Sequence, residues 1–145
     1  MTKRLLSIAG LLATTAIFAA GCGGSDDSSE DAPTKAAYVT EADDICATNQ
    51  EEISEIAKDL PDDINDPAVQ DAISDEVLPI YQDQLTALRA LTPPEGEENA
   101  TTEIYDALEE ALQKVEDDTS ALNDPTTFED ANARAIDFGL EVCGS

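Results

Sequence analysis

From Ala42 to the end of the chain, apolar residues recur in steps of three and four, and no run of them alternates with period two. Steps of that size place side chains on one face of an α-helix, whereas a half-buried strand needs alternation. The spacing therefore predicts an all-α domain, which prolines divide into segments. Ile45, Cys46, Asn49, Ile53, Ile56, Ala57 and Leu60 trace the first stripe. It predicts a helix over about 40–60, with Thr40 as N-cap, Glu41, Asp43 and Asp44 at the positive end of its dipole, and Pro61 as its stop. Asp66-Pro67 reads as a cap followed by a first-turn proline. The stripe Val69, Ile73, Val77, Ile80, Gln84, Leu88 and Leu91 follows, closed by Pro93-Pro94. Pro79 falls inside it and removes a backbone hydrogen bond, which predicts a kink near residues 76–78 or a split into two shorter helices.

A third helix starts near Glu97 and carries Ile104, Leu108, Ala111, Leu112, Val115, Thr119 and Leu122. Asn123-Asp124-Pro125 repeats the start signal of 65–67. A fourth helix is expected over about 126–142, with Phe128, Ala131, Ala135, Phe138 and Val142 inward and Gly144 as its stop. Four helices with short links predict an up-down-up-down bundle. That topology brings the start of the first helix and the end of the last to one end of the bundle. Cys46 lies two turns into the first helix and Cys143 ends the fourth, so the two are expected to form a disulfide. The bridge would close a loop of about 98 residues, which the chain-entropy view values at ~4–5 kcal/mol. A domain with three Phe, three Tyr and no Trp has use for such a staple.

Residues 1–21 hold Lys3, Arg4, an apolar run over 5–20 and no acid, the layout of a bacterial export signal. The run is shorter than the ~20 residues of a spanning helix. Directly after Cys22 the composition changes to "GGSDDSSEDAPTK", a polar and self-repelling stretch with a reach of roughly 20 Å. Ala19-Ala20-Gly21-Cys22 on that border resembles the lipobox of bacterial lipoproteins, departing from it at Ala19, where leucine is usual. The resemblance implies that Cys22 becomes the lipidated first residue of the mature chain, a durable anchor when it carries more than one acyl chain. Plain cleavage and secretion is the alternative. The chain is thus expected to comprise a lipoprotein signal peptide (1–21), a lipidated cysteine with a disordered acidic tether (22–37) and a helical bundle (38–145). The bundle would stand on the extracytoplasmic face of the cell membrane.

Removing Lys3 and Arg4 leaves five basic residues against 33 acids, a net charge of −28 for the mature chain. That charge argues against nucleic acid as a partner and against direct binding of the domain to anionic lipid head groups. The chain contains no His. This excludes histidine-built zinc and haem sites, Ser-His and Cys-His catalysis, and the di-iron Glu-x-x-His pattern. No cofactor is implied.

Asp62, Asp63, Asn65 and Asp66 cluster between the first two helices, and oxygen ligands of this kind suit calcium. The calcium-loop glycine at the sixth place is missing, and capping explains the same residues. Asn49, Gln84 and Thr119 fall on otherwise apolar stripes. Buried polar groups need partners, so facing one another they would form a small polar pocket for a ligand; satisfied core hydrogen bonds are the plainer reading.

"YVTEADDICATNQEEI" (38–53), "LTALRALTPPEG" (85–96) and "AIDFGLEVCG" (135–144) together resemble small exported or lipid-anchored proteins of actinobacteria. Those pair an Ala-Asp-x-Ile-Cys-like opening with a Gly-Leu-x-x-Cys-Gly-like close. The matching positions are Ala42, Asp43, Ile45 and Cys46, then Leu91, Pro93 and Pro94, then Gly139, Leu140, Cys143 and Gly144. The resemblance implies a location and a shape, and no reaction. The expectation is a non-enzymatic, membrane-anchored protein that binds an envelope partner or ligand. The alternatives are a bundle carrying a small molecule or cation, and an enzyme of unrecognised type.

Overall fold

A computed structural model describes residues 32–145. The signal segment, Cys22 and most of the acidic tether lie outside those residues. Among the described residues every regular element is helical: α1 (Lys35–Ala57), α2 (Pro67–Ala72), a π-helical turn (Ile73–Val77), α3 (Leu78–Ala90), α4 (Glu98–Asp117), a 3-10 turn (Thr119–Asn123) and α5 (Glu129–Phe138). Because α2, the π turn and α3 follow without a gap, the chain forms four helical rods.

The first rod begins earlier than its apolar stripe announces. Thr34 caps it, its hydroxyl accepting a hydrogen bond from the Ala37 amide at 3.2 Å. Thr40 is an interior residue that donates back to the Ala36 carbonyl. Tyr38, Ala42 and Cys46, each four residues from the last, form the buried line of α1. Asp43 and Asp44 therefore lie mid-helix and not at its positive end.

In the second rod, Asp66 caps as expected, accepting from the Ala68 amide at 2.9 Å, with Pro67 in the first turn. The proline-induced irregularity takes the form of a π turn, in which the Leu78 amide bonds the Ile73 carbonyl five residues back. A proline ring clashes with the carbonyl four residues before it, and a widened turn relieves that contact. The turn also resets the apolar face. Ile73 and Leu78 are five apart, a spacing that would part them on a regular helix, yet both are buried. Leu85 and Leu88 continue the buried line, while Ile80 is only half-buried.

The third rod, α4, buries Thr101, Ile104, Tyr105, Ala111, Leu112 and Val115. Thr119 and Leu122 fall beyond its end, in the 3-10 turn that Asp118 caps. The fourth rod is shorter than the expected 126–142. It runs Glu129–Phe138 and ends at Gly139, whose φ of +110° lies in the left-handed region that glycine adopts without penalty. Gly144 serves differently. A Cβ there would stand 2.5 Å from Ile136 Cγ1 and 2.9 Å from the Asn132 carbonyl oxygen, so its bare backbone is what lets the last turn pack onto α5.

After Gly139 the chain folds back with Leu140 fully buried, and Cys143 bonds Cys46 with their Cα atoms 5.2 Å apart. Asp43 locks the same segment, its Oδ1 accepting from both the Val142 and Cys143 amides at 3.1 Å. Hydrogen bonds to a charged acceptor are each worth ~1.5–3 kcal/mol. Asp43→Ala is therefore expected to destabilise the protein by about 2–3 kcal/mol, with Asp43→Asn losing less because it keeps an acceptor. Chemical denaturation midpoints of the two variants test this.

Candidate functional site

The four rods leave a cavity of about 250 Å³ beside the disulfide. Its origin is local. α5 turns Ala131 and Ala135 inward, and alanines opposite larger side chains leave room that no neighbour fills. Several large residues on its border, among them Ile53, Tyr81, Leu108, Leu122 and Phe128, are only half-buried. Tyr81 stacks on Phe128, ring centroids 6.0 Å apart and 29° between planes, and both border the cavity as its aromatic side. The exposed Gln50 and Ser145 mark the rim, where Gln50 Nε2 donates to the Val142 carbonyl at 3.0 Å and to Ser145 Oγ at 3.4 Å.

The polar groups of the lining are neutral. Gln84, 7% exposed, donates from Nε2 to Cys46 Sγ at 3.4 Å. Burial pushes the Tyr81 hydroxyl above its ordinary pKa, which keeps it protonated and uncharged. Tyr105 is likewise raised, by burial first and then by the hydrogen bond and charge of Tyr38, whose hydroxyl it meets. Although the chain carries 33 acids, no carboxylate, ammonium or guanidinium side chain lines the cavity. Such side chains offer apolar contact and a few hydrogen bonds, and none of them carries a charge.

Of the three polar residues on the apolar stripes, Asn49, Gln84 and Thr119, only Gln84 borders this space. Asn49 donates instead to the Ile80 carbonyl across α1 and α3, at 3.3 Å. Thr119 donates to Gln70 Oε1, in the 3-10 turn after α4. The three do not form one pocket. In the acidic loop, Asp63 Oδ1 accepts from the Asn65 amide and Asp66 caps α2, so these carboxylates serve the backbone, while Asp62 is exposed. Among the described residues no three of His, Cys, Asp and Glu stand together to hold a metal ion. The Tyr81–Phe128 wall was not legible as a site, since each residue alone reads as core. The available signal was two alanines four apart on the inner face of the last helix.

Among the described residues no helix is long and apolar enough to cross a membrane. No protein-family model, curated protein or solved structure matches the chain.

Proposed function

We propose that the protein is a non-enzymatic, lipid-anchored binding protein of the extracytoplasmic membrane face, and that it holds a small uncharged molecule inside an up-down-up-down helical bundle. The observation that carries this reading is the uncharged, aromatic-walled cavity of about 250 Å³ between the rods. Small-molecule sites are concave, mostly apolar and furnished with few polar groups, and helical bundles build them in their cores.

Three contacts support the alternating topology. Lys35 at the start of α1 bonds Glu97 at the start of α4 (3.1 Å) and lies over the Phe138 ring at the end of α5 (4.0 Å). At the other end, Gln70 of α2 meets Thr119 after α4. The anchor rests on the lipobox resemblance at Cys22. Replacing it gives both a localisation test and a detergent-free protein: Cys22→Ala is expected to leave the membrane fraction, and a variant that still sediments with membranes contradicts lipidation.

The soluble Cys22→Ala chain is then melted with naphthalene, indene, 2-naphthoate and calcium. A ligand at 100-fold its dissociation constant stabilises by about 2.7 kcal/mol, a shift that calorimetry reads easily. The neutral bicyclic compounds are expected to raise the melting temperature, and naphthoate and calcium are not. If none of the neutral compounds moves the melt, the cavity is not a binding site.

A further inference from the structure

We infer that the cavity selects an uncharged, planar molecule carrying a hydrogen-bond donor, and that Gln84 Oε1 is the acceptor that reads that donor. The inference rests on the reading of the cavity as a ligand site and adds what the ligand must be.

Size comes first. A dry cavity of about 150 Å³ accommodates benzene, so about 250 Å³ suits a bicyclic ring or a substituted phenyl. Tyr81 and Phe128 give the space an aromatic border, and aromatic rings pack favourably on one another in stacked or edge-on arrangements, which suits a planar ring. Charge comes second. An ion in this cavity would lose hydration and meet no charged side chain to compensate it. An anion would also have to approach through the field of 33 acids.

Gln84 supplies the specific element. Its amide is held by the bridge itself: Nε2 lies 3.4 Å from Cys46 Sγ. A disulfide sulfur carries no proton, so it can only accept, and the N–H end of the amide must face it. The carbonyl end is thereby turned the other way. There Oε1 accepts no hydrogen bond from any described residue, although the side chain is more than nine-tenths buried. It is not among the fully enclosed orphan atoms, of which the described residues have none, and Gln84 borders the cavity. The carbonyl therefore keeps access to solvent, and the cavity is the space that Gln84 borders. A ligand that displaces water from this acceptor costs a hydrogen bond unless its own N–H or O–H replaces it. A ligand without a donor would leave it unpaired, which is the basis of discrimination.

Indole and indene make the comparison, because they share a bicyclic outline and differ in an N–H against a CH₂. Titration calorimetry of the soluble Cys22→Ala chain is expected to show indole binding about tenfold more tightly than indene, the equivalent of one net hydrogen bond. Gln84→Met keeps the side-chain length and removes the acceptor. It should bind both compounds alike, with indene affinity unchanged. Equal binding of indole and indene by the unsubstituted Gln84 protein overturns the inference while leaving the ligand cavity intact. A tenfold preference that survives in Gln84→Met overturns it too. Failure to bind either compound removes the ligand site along with its selectivity. Should Gln84→Met fail to fold, the indole and indene comparison in the Gln84 protein decides alone.

Discussion

Reducing the Cys46–Cys143 bridge is expected to lower the melting temperature by roughly 15–20 °C. The two cysteines lie 97 residues apart, and a cross-link over such a loop removes unfolded-state freedom worth ~4–5 kcal/mol. Against a total stability of about 5–15 kcal/mol for an ordinary domain, that is a large fraction. The remaining ties of the last segment are weaker. Asp43 holds two amides, Gln50 holds the Val142 carbonyl, and the buried Leu140 supplies apolar area. Opposing them is the mutual repulsion of a chain with 33 acids, which the oxidised loop resists by limiting how far the unfolded chain can expand. Calorimetry with and without dithiothreitol measures the effect, and the Cys46→Ala/Cys143→Ala double variant should melt with the reduced protein. A reduced protein that melts within a few degrees of the oxidised one would contradict the entropic account. Reduction should also weaken binding of neutral aromatics, because the bridge is both a wall of the cavity and the anchor of the Gln84 amide.

How the bridge came to be foreseeable marks what a sequence of this kind can and cannot reveal. The helical class followed from periodicity, and the start of α2 followed from Asp66-Pro67, because both are local rules that the tertiary structure did not override. The end of α5 differs from what the spacing predicts. Leu140 and Val142 continue the apolar period past Gly139, and an isolated glycine within such a pattern is compatible with a helix that continues or stops. The chain stops there, with Gly139 at φ +110°, and returns to bury Leu140. Cys46 pairs with Cys143 by a different route from the one expected: Cys46 stands about three turns inside α1, and the segment after Gly139 folds back to reach it. Thr34 carries no readable cap signal because the residues before it have the composition of a tether. The kink expected from Pro79 took the form of a π turn, whose register follows from which residues the core accepts. The cavity lies beyond local reading altogether. It is a volume left between Ala131, Ala135 and residues far away in the chain, and only their assembly defines it.

Alkaline titration should unfold the protein cooperatively, with tyrosinate formation and loss of helix tracing one curve. The chain has three tyrosines, Tyr38, Tyr81 and Tyr105, and all three are held above their ordinary pKa of about 10. For each of them burial is the first cause, since it penalises the phenolate. For Tyr38 the hydrogen bonds to Tyr105 and Thr101 act in the opposite sense without reversing it, whereas for Tyr105 the contact with Tyr38 adds to the rise. The sign follows directly. Above pH 10 the unfolded chain releases these protons and the folded chain keeps them, so stability is fully present below that pH and falls as pH rises. Each group contributes a slope of up to about 1.4 kcal/mol per pH unit, and the three together up to about 4 kcal/mol per unit. The loss lasts for each tyrosine up to its folded-state pKa, and it draws on the about 5–15 kcal/mol of an ordinary domain. With no Trp in the chain, the near-ultraviolet tyrosinate band reports on these residues without interference. Its midpoint should coincide with that of far-ultraviolet circular dichroism. Tyr105→Phe removes one titrating group and the Tyr38 hydrogen bond, so it should lower stability at neutral pH by about 1 kcal/mol and reduce the alkaline slope by about a third. Tyrosinate absorbance that rises well before the helix signal falls would mean that the phenols titrate inside an intact fold, and that the packing around Tyr38 and Tyr105 is looser than their burial implies.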